Sequence, residues 1–490
     1  MGREEEIIKE RLKKLDELKK EGINPYPNKF DVKNFSSELQ KKYFKLKPEA
    51  KTSDKARIAG RLMSFRDLGK ISFGVLDDGH GKIQITFQEK ETPPKVLKLM
   101  KKFIDVGDFI GVEGTIFRTK SGELSVSAKK IEILSKSILP LPAKWHGLKD
   151  DEEKLRKRYL DILMNPEIKE LFIKKAKFWN VMRSFLLEKG FLEVETPVLE
   201  TSAGGAAATP FTTHHNALDI DVYLRISMGE LWQKKLMVAG YPKTFEIGRQ
   251  FRNEGMDMEH LQDYTQMEFY WAYTNYRDGM VLVEELYKKL AKEILGNLKF
   301  ETHGYKMDLS KKWAVYDYES MIKKYTGIEI YKASQEEIEK KLKELNVEFK
   351  KGVDKWRLVD YIWKYCRRKI SGPGFLINHP VEVSPLAKRN AKNPGKVEQF
   401  QVIIAGTELG NGYSELNDPL DQEKRFEEQS KLKEKGDTES HEHDKGFVEA
   451  LKYGMPPACG FGVSERLFSY LMNKPIRECV IFPLMKPESR

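Results

Sequence analysis

The sequence predicts an α+β protein: a five-stranded barrel near the N-terminus, then a larger antiparallel-sheet domain with helices. Three observations predict it. Residues 56–135 hold five short strand-like runs, "RIAGRLMSFRD", "KISFGVLDD", "GKIQITFQE", "DFIGVEGTIFRT" and "GELSVSAKKIEIL", bounded by glycines and charges. A helical segment near 94–104, "PKVLKLMKKFI", falls between the third and fourth, and five strands with a helix after the third make the pattern of an OB-fold, a barrel that often binds oligonucleotides. From about residue 167 onward, helical segments alternate with pairs of strands. A length of 490 residues suits two or three domains of this kind.

The elements follow in order. Residues 1–50 form an N-terminal helical segment, in which 3–21 read as an amphipathic helix with Ile8, Leu12, Leu15 and Leu18 on one side, stopped by Gly22 and Pro25. The barrel domain spans 51–138, and 139–166, "LPLPAKWHGLKDDEEKLRKRYLDILMNP", is a Pro-containing linker with a charged helix. The domain over 167–490 opens with a helix at 168–189, ended by Gly190, and a strand "FLEVETP". Residues 305–372, rich in lysine, read as a helical insertion, and 429–447 as a mobile polar loop. The loop's His441 and His443 sit among charges and are not read as a metal site.

Composition narrows the function. The chain is 40% hydrophobic and 33% charged, and no run approaches the roughly 18 apolar residues that span a bilayer, so no membrane role is expected. "MGREEEIIKERLKK" lacks the apolar core of a secretory signal, and its first six residues lack the Ser or Thr of a myristoylation signal. Cys366, Cys459 and Cys479 stand alone, as buried thiols in a reducing compartment do, which implies a cytoplasmic location. A net charge of +11 favours a polyanionic partner.

Three stretches carry candidate chemistry. "FQVIIAG" followed by "GTELGNGYSELNDP" reads as a hairpin turning near Ala405–Gly406, with Asn411, Tyr413 and Glu415 on one face of the returning strand. An amide, a phenol and a carboxylate on one sheet face fit either a satisfied polar network or a pocket for a small cation. "KTFEIGRQFRNEG" places Glu246, Gly248, Gln250, Arg252 and Glu254 together, and "YTQMEFYWAY" does the same for Tyr264, Gln266, Glu268 and Tyr270. "ACGFGVSERLFSYL" is a glycine-rich strand running into a helix whose start carries Ser464 and Arg466, a combination that favours phosphate.

In this order the stretches resemble the class II aminoacyl-tRNA synthetases, and among class IIb the lysyl-tRNA synthetase family. "GFLEVETP" is similar to motif 1, "FRNEG" with the strand after it to motif 2, and "GFGVSERL" to motif 3. "GGAAATPFTTHHNALDIDVYLRI", "EVSPLAKR" and "GTELGNGYSELNDPLDQ" resemble lysyl-specific segments, and the likeness runs from about residue 56 to the end. The resemblance implies ligation of L-lysine to tRNA(Lys) with ATP and Mg2+, in a homodimer joined through motif 1 at Pro197. It implies catalytic roles for Arg252, at the α-phosphate, and Arg466, at the γ-phosphate. Glu254 and His260 would contact ATP, Tyr264 would stack on adenine, and Glu408 would ligate magnesium. Glu415 would pair with the lysine ε-ammonium, in a pocket completed by Tyr270, Asn411 and Tyr413. Gly205, Glu230 and Glu268 would surround the α-amino group. On the barrel, Arg66, Phe73, Gln84 and Glu123 would read the anticodon, Phe73 by stacking.

Three departures from the family pattern accompany the resemblance. The second acidic magnesium position is Gln401, an amide that brings no charge. "ISMGEL" has an extra residue before Glu230, which implies a local bulge, and motif 3 is one residue short before Arg466. Two other readings compete with it. An aspartyl- or asparaginyl-type enzyme would need a cation where Glu415 sits, and a non-catalytic tRNA-binding paralogue would have lost Arg252, Glu408 or Arg466.

Overall fold

The computed structural model describes residues 2–142, 150–202, 204–206, 208–255, 260–434 and 444–488. They form two compact units, 1–151 and 152–490. The first begins with helices α1 (Arg3–Lys20) and α2 (Ser36–Lys42). Strands β1 (Lys51–Asp67), β2 (Ile71–Asp77) and β3 (Lys82–Gln88) follow, then α3 (Pro94–Phe103), β4 (Phe109–Arg118) and β5 (Leu124–Ser135). The five strands close into a barrel in the order β1-β2-β3-β5-β4. Ile58, Leu62, Leu76, Ile83, Ile85, Val112 and Val126 alternate into its core, and Leu18, Leu39 and Tyr43 of the N-terminal helices join the same cluster. The helical segment is thus part of the barrel unit.

One expected core position in α1 is exchanged for its neighbour. Leu12 is 44% exposed, while Arg11 is buried. The Arg11 guanidinium donates to the carbonyls of Val106 (2.8 Å) and Leu139 (2.9 Å) and to Ser137 Oγ (3.0 Å). A guanidinium with these acceptors tolerates burial, and it rotates Leu12 toward water.

The second unit starts inside the expected linker, where α4 (Asp151–Arg156) and α5 (Arg158–Met164) are helical; residues 143–149 lie outside the described residues. Helix α6 (Pro166–Glu188) begins on a proline, favoured in the first turn. Of "FLEVETP", only β6 (Leu192–Glu193) pairs with the main sheet. Short strands β7 (Leu199–Glu200), β8 (Thr212–His215) and β9 (Ile220–Leu224) make a side sheet, followed by α7 (Glu230–Val238). Next come β10 (Lys243–Phe251), β11 (Asp263–Ala272) and α8 (Tyr276–Leu295), then β12 (Lys299–Thr302), β13 (Tyr305–Asp308) and β14 (Ala314–Asp317). Helices α9 (Tyr318–Thr326), α10 (Gln335–Glu344) and α11 (Lys355–Arg367) lead to β15 (Gly374–Ile377), β16 (Arg389–Asn390) and β17 (Asn393–Val397). The chain ends with β18 (Gln399–Ile404), β19 (Thr407–Ser414), α12 (Pro419–Glu434), α13 (Lys445–Lys452), β20 (Ala458–Ser464) and α14 (Arg466–Leu471).

Eight strands form the central sheet in the order β14-β15-β18-β19-β20-β11-β10-β6, antiparallel except at the two edge pairs, β14 with β15 and β10 with β6. Its back face supplies Met267, Phe269, Phe400, Val402, Phe461 and Val463 to the core, against Phe178, Met182 and Leu186 of α6 and Val283, Leu286 and Leu290 of α8. The segment 305–372, expected as helices, also holds β13 and β14. β14 completes one edge of the sheet, because the alternating "AVYD" pairs with β15 before α9 begins. The loop expected over 429–447 is shortened by helix at both ends; its residues 435–443, with His441 and His443, lie outside the described residues.

Candidate active site

The sheet's front face opens into a cavity of about 600 Å³ within the second unit. Period-two alternation on β11 sends Tyr264, Gln266, Glu268 and Tyr270 into it, while Met267 and Phe269 fill the core behind. The next strand, β20, pairs with β11 and places Gly460 opposite Tyr270 and Gly462 opposite Glu268. A Cβ at Gly460 would run into Glu415 Oε1 and the Tyr270 ring, so the glycine leaves space for a carboxylate and a phenol to approach the sheet.

The β18–β19 hairpin turns at Ala405 and Gly406, both left-handed at φ 51° and 72°. Asn411, Tyr413 and Glu415 face the cavity, as the sequence alternation requires. Glu408 has the opposite parity and faces it too. The pairing slips between Gln401↔Asn411 and Ile403↔Glu408, and this bulge turns Glu408 to the front.

Glu415 ends the row, 1% exposed. Its Oε2 lies 2.6 Å from Lys234 Nζ, an ion pair outside hydrogen-bond alignment. Its Oε1 has no hydrogen-bond partner among the described residues. Lys234 also donates to Glu230 Oε1 at 2.9 Å, and the Tyr413 hydroxyl donates to that same oxygen. Glu268 accepts from the Met228 N–H (3.0 Å), Gln266 Nε2 (2.6 Å) and the Tyr270 hydroxyl (3.0 Å). Burial pushes the Glu268 carboxyl up to about 7, with the charge of Glu230 adding to the effect. Burial likewise pushes Glu415 up to about 8, against the pull of Lys234. Gly229, left-handed at φ 67°, caps α7, and Glu230 at the start of that helix lines the cavity with Gly205.

The cavity's other end is cationic. Arg252, just past the end of β10, lines it with Glu254, His260 and Tyr264, its guanidinium 5.8 Å from the Tyr264 ring centre. Arg466, opening α14, reaches in and donates from Nη2 to Thr407 Oγ1 at 2.7 Å. Not every residue expected on the β10 face reaches the cavity. Glu246 turns away to the buried Arg225 (2.6 Å) and to Thr196 Oγ1 (2.7 Å), and Gln250 donates to Gln266 at 2.8 Å.

Glu408 and Gln401 also line the cavity. Trp363 Nε1 donates to Glu408 Oε1 at 2.5 Å, and Arg367 Nη1 lies 3.4 Å from Oε2. Gln401 Oε1 lies 3.0 Å from His379 Nε2, on a ring whose pKa burial lowers to about 4. The described residues contain no group of three or more acidic, His or Cys side chains able to cage a metal. One carboxylate and one amide fit an ion that arrives with phosphate and keeps much of its water, as magnesium does.

On the barrel, Arg66 pairs across strands with Phe73, Val75 with Gln84, and Gln84 with Ser125. Phe73 and Gln84 are half-buried on the outer surface, and Arg66 and Glu123 are exposed beside them. Gln84 Nε2 donates to Ser125 Oγ at 2.7 Å.

The sequence patterns do not point to Lys234, Trp363, Arg367 or His379. The spacing of Glu230 and Lys234 by four in "ELWQKKL" signals a helical ion pair, but such pairs usually lie on the surface.

The chain is similar to known proteins over nearly its whole length. Residues 150–486 match the family model described as tRNA synthetases class II (D, K and N), and 56–134 match the OB-fold nucleic acid binding domain. The chain is 42% identical to a lysine–tRNA ligase of Thermotoga maritima over 486 residues, covering 99% of this chain and 96% of that protein. It is 41% identical to the lysine–tRNA ligase of Moorella thermoacetica, over 99% of both chains. It is 42% identical to that of Thermoanaerobacter pseudethanolicus, over 99% and 97%.

Proposed function

The chain belongs to the class II tRNA synthetases and, within them, to the lysine–tRNA ligases, and from this premise we propose how its cavity performs the reaction. The enzyme activates L-lysine with ATP and transfers it to the 3′ end of tRNA(Lys). Glu415 accepts the ε-ammonium of lysine through Oε1, with Tyr270, Asn411 and Tyr413 around it. Glu230, Glu268 and the backbone of Gly205 receive the α-ammonium. Arg252 holds the lysine carboxylate against the α-phosphate, so attack at phosphorus is a matter of positioning and charge neutralisation without a protein nucleophile. Glu254 and His260 contact the nucleotide, Tyr264 stacks on adenine, and Arg466 takes the γ-phosphate. Glu408, with Gln401 beside it, would hold magnesium, which supplies positive charge to the phosphates when bound. The terminal ribose of the tRNA then captures the adenylate.

Residues 51–138 serve as the anticodon-binding domain and 167–490 as the catalytic domain, with Phe73 stacking on an anticodon base and Arg66, Gln84 and Glu123 bonding base edges. A homodimer through the region of Pro197 is supported by the exposed apolar residues Ile173, Leu187, Leu192, Val198 and Leu199 on α6 and beside Pro197. No helix among the described residues is long and apolar enough to cross a membrane, and we place the enzyme in the cytoplasm.

The observation that carries the proposal is the buried Glu415 carboxylate, with Oε1 unbonded beside the cavity. Calorimetric titration tests it. Lysine should bind, and norleucine, the same length without the ε-ammonium, should not. Equal affinities would remove Glu415 from the recognition.

A further inference from the structure

Lys234 is not among the residues that line the cavity. It lies behind the wall, fully enclosed, with Nζ between Glu230 (2.9 Å) and Glu415 (2.6 Å). The rings of Tyr270, Tyr413 and Phe447 surround it at 5.5–5.9 Å. Burial opposes its charge, yet the two carboxylates outweigh that effect and hold its pKa above the ordinary value. We propose that Lys234 is a specificity-determining positioning residue: it presents Glu415 to the cavity and leaves the pocket short of two positive charges, the number on the two amino groups of lysine. This rests on the lysine-pocket reading above.

The count follows from the groups that face one another there. Helix α7 contributes Glu230 and Lys234, β11 contributes Glu268 and the neutral Tyr270, and β19 with the residue after it contributes the neutral Tyr413 and Glu415. Cys459 of β20 lies near Glu415, and burial holds it as a thiol. Arg225 and Glu246 nearby neutralise each other at 2.6 Å. Three carboxylates against one ammonium leave two negative charges. Arg252, at the cavity's other end, remains for the ligand's own carboxylate. A mono-amine leaves one carboxylate unmatched in a buried site, and an amino acid with an anionic side chain adds a charge of the wrong sign.

Buried like charges cannot all stay ionised without counter-cations, so the ligand-free pocket retains protons. That agrees with Glu268 and Glu415 being pushed up to about 7 and 8. Below those values the carboxylates are protonated and must ionise before the dication binds. Lysine affinity therefore rises with pH from 6 to 8, and binding releases protons.

The test uses the full-length enzyme. Lysine titrated calorimetrically at pH 7, in two buffers of different ionisation enthalpy, should show net proton release; heats that do not depend on the buffer would overturn the proposal. The variant Lys234→Met adds one uncompensated charge. Its KM for lysine should rise at least roughly tenfold at pH 7, with kcat and the KM for ATP within about twofold, and log KM should fall about one unit per pH more steeply than in wild type. Lys234→Arg, which keeps the charge, should keep the wild-type slope. A merely structural lysine would lower kcat and leave the slope unchanged, and that result would also overturn the proposal. If Lys234→Met does not fold, the wild-type proton release decides. Absence of any lysine binding to wild type would instead reject the pocket reading itself.

Discussion

Replacing Glu415 by Gln removes one charge while keeping the shape of the side chain. The carboxylate is 1% exposed, so the loss belongs with broken buried pairs, about 3–5 kcal/mol. Lys234 keeps Glu230 at 2.9 Å, which limits the damage to the empty protein and favours the lower figure. At about 1.4 kcal/mol per tenfold, 3 kcal/mol raises the KM for lysine roughly 100-fold. Arg466 and Tyr264 are untouched, so the KM for ATP should stay within about twofold. Steady-state ATP–pyrophosphate exchange with lysine varied at saturating ATP, then the reverse, separates the two constants. An unchanged ATP constant also shows that the variant is folded. An unchanged KM for lysine would refute the placement of Glu415 in the pocket.

Three further outcomes follow from the geometry. Gly460→Ala drives a methyl group into Glu415 and Tyr270, an overpacking of about 1–3 kcal/mol, and should raise the KM for lysine in the exchange assay. Phe73→Ala should raise the KM for tRNA by the roughly 1–3 kcal/mol of one stacked base and leave pyrophosphate exchange intact; equal loss in both assays would make Phe73 a folding residue. Gln401→Glu should lower the magnesium concentration for half-maximal exchange, because a carboxylate attracts the ion more strongly than an amide, while Glu408→Gln should nearly abolish activation. A Gln401→Glu titration curve superimposed on wild type would show that the missing carboxylate has no consequence.

Much of this was legible in the sequence wherever local periodicity decides the structure. The alternation of Tyr264, Gln266, Glu268 and Tyr270 survives folding because the apolar Met267 and Phe269 must face the core. The turn at Ala405–Gly406 is set by the glycine that follows four apolar residues. Period-two counting alone puts Glu408 on the wrong face, since a bulge depends on the partner strand. Lys234 hides for a related reason: a glutamate and lysine four apart look the same on a surface helix as on a buried one. Trp363 and Arg367 come from a segment whose lysine-rich composition suggested a peripheral insertion, yet α11 brings them to Glu408. Arg11 takes the place of Leu12 because its acceptors, at residues 106–139, are remote in sequence.

If three buried carboxylates and one internal ammonium select a diamino acid, the choice of amino acid shows it in the activation step. ATP–pyrophosphate exchange across the twenty amino acids, in the presence of magnesium, tests it most directly. Exchange is expected with L-lysine, and none above background with aspartate or asparagine. Exchange supported by aspartate but not by lysine would contradict it.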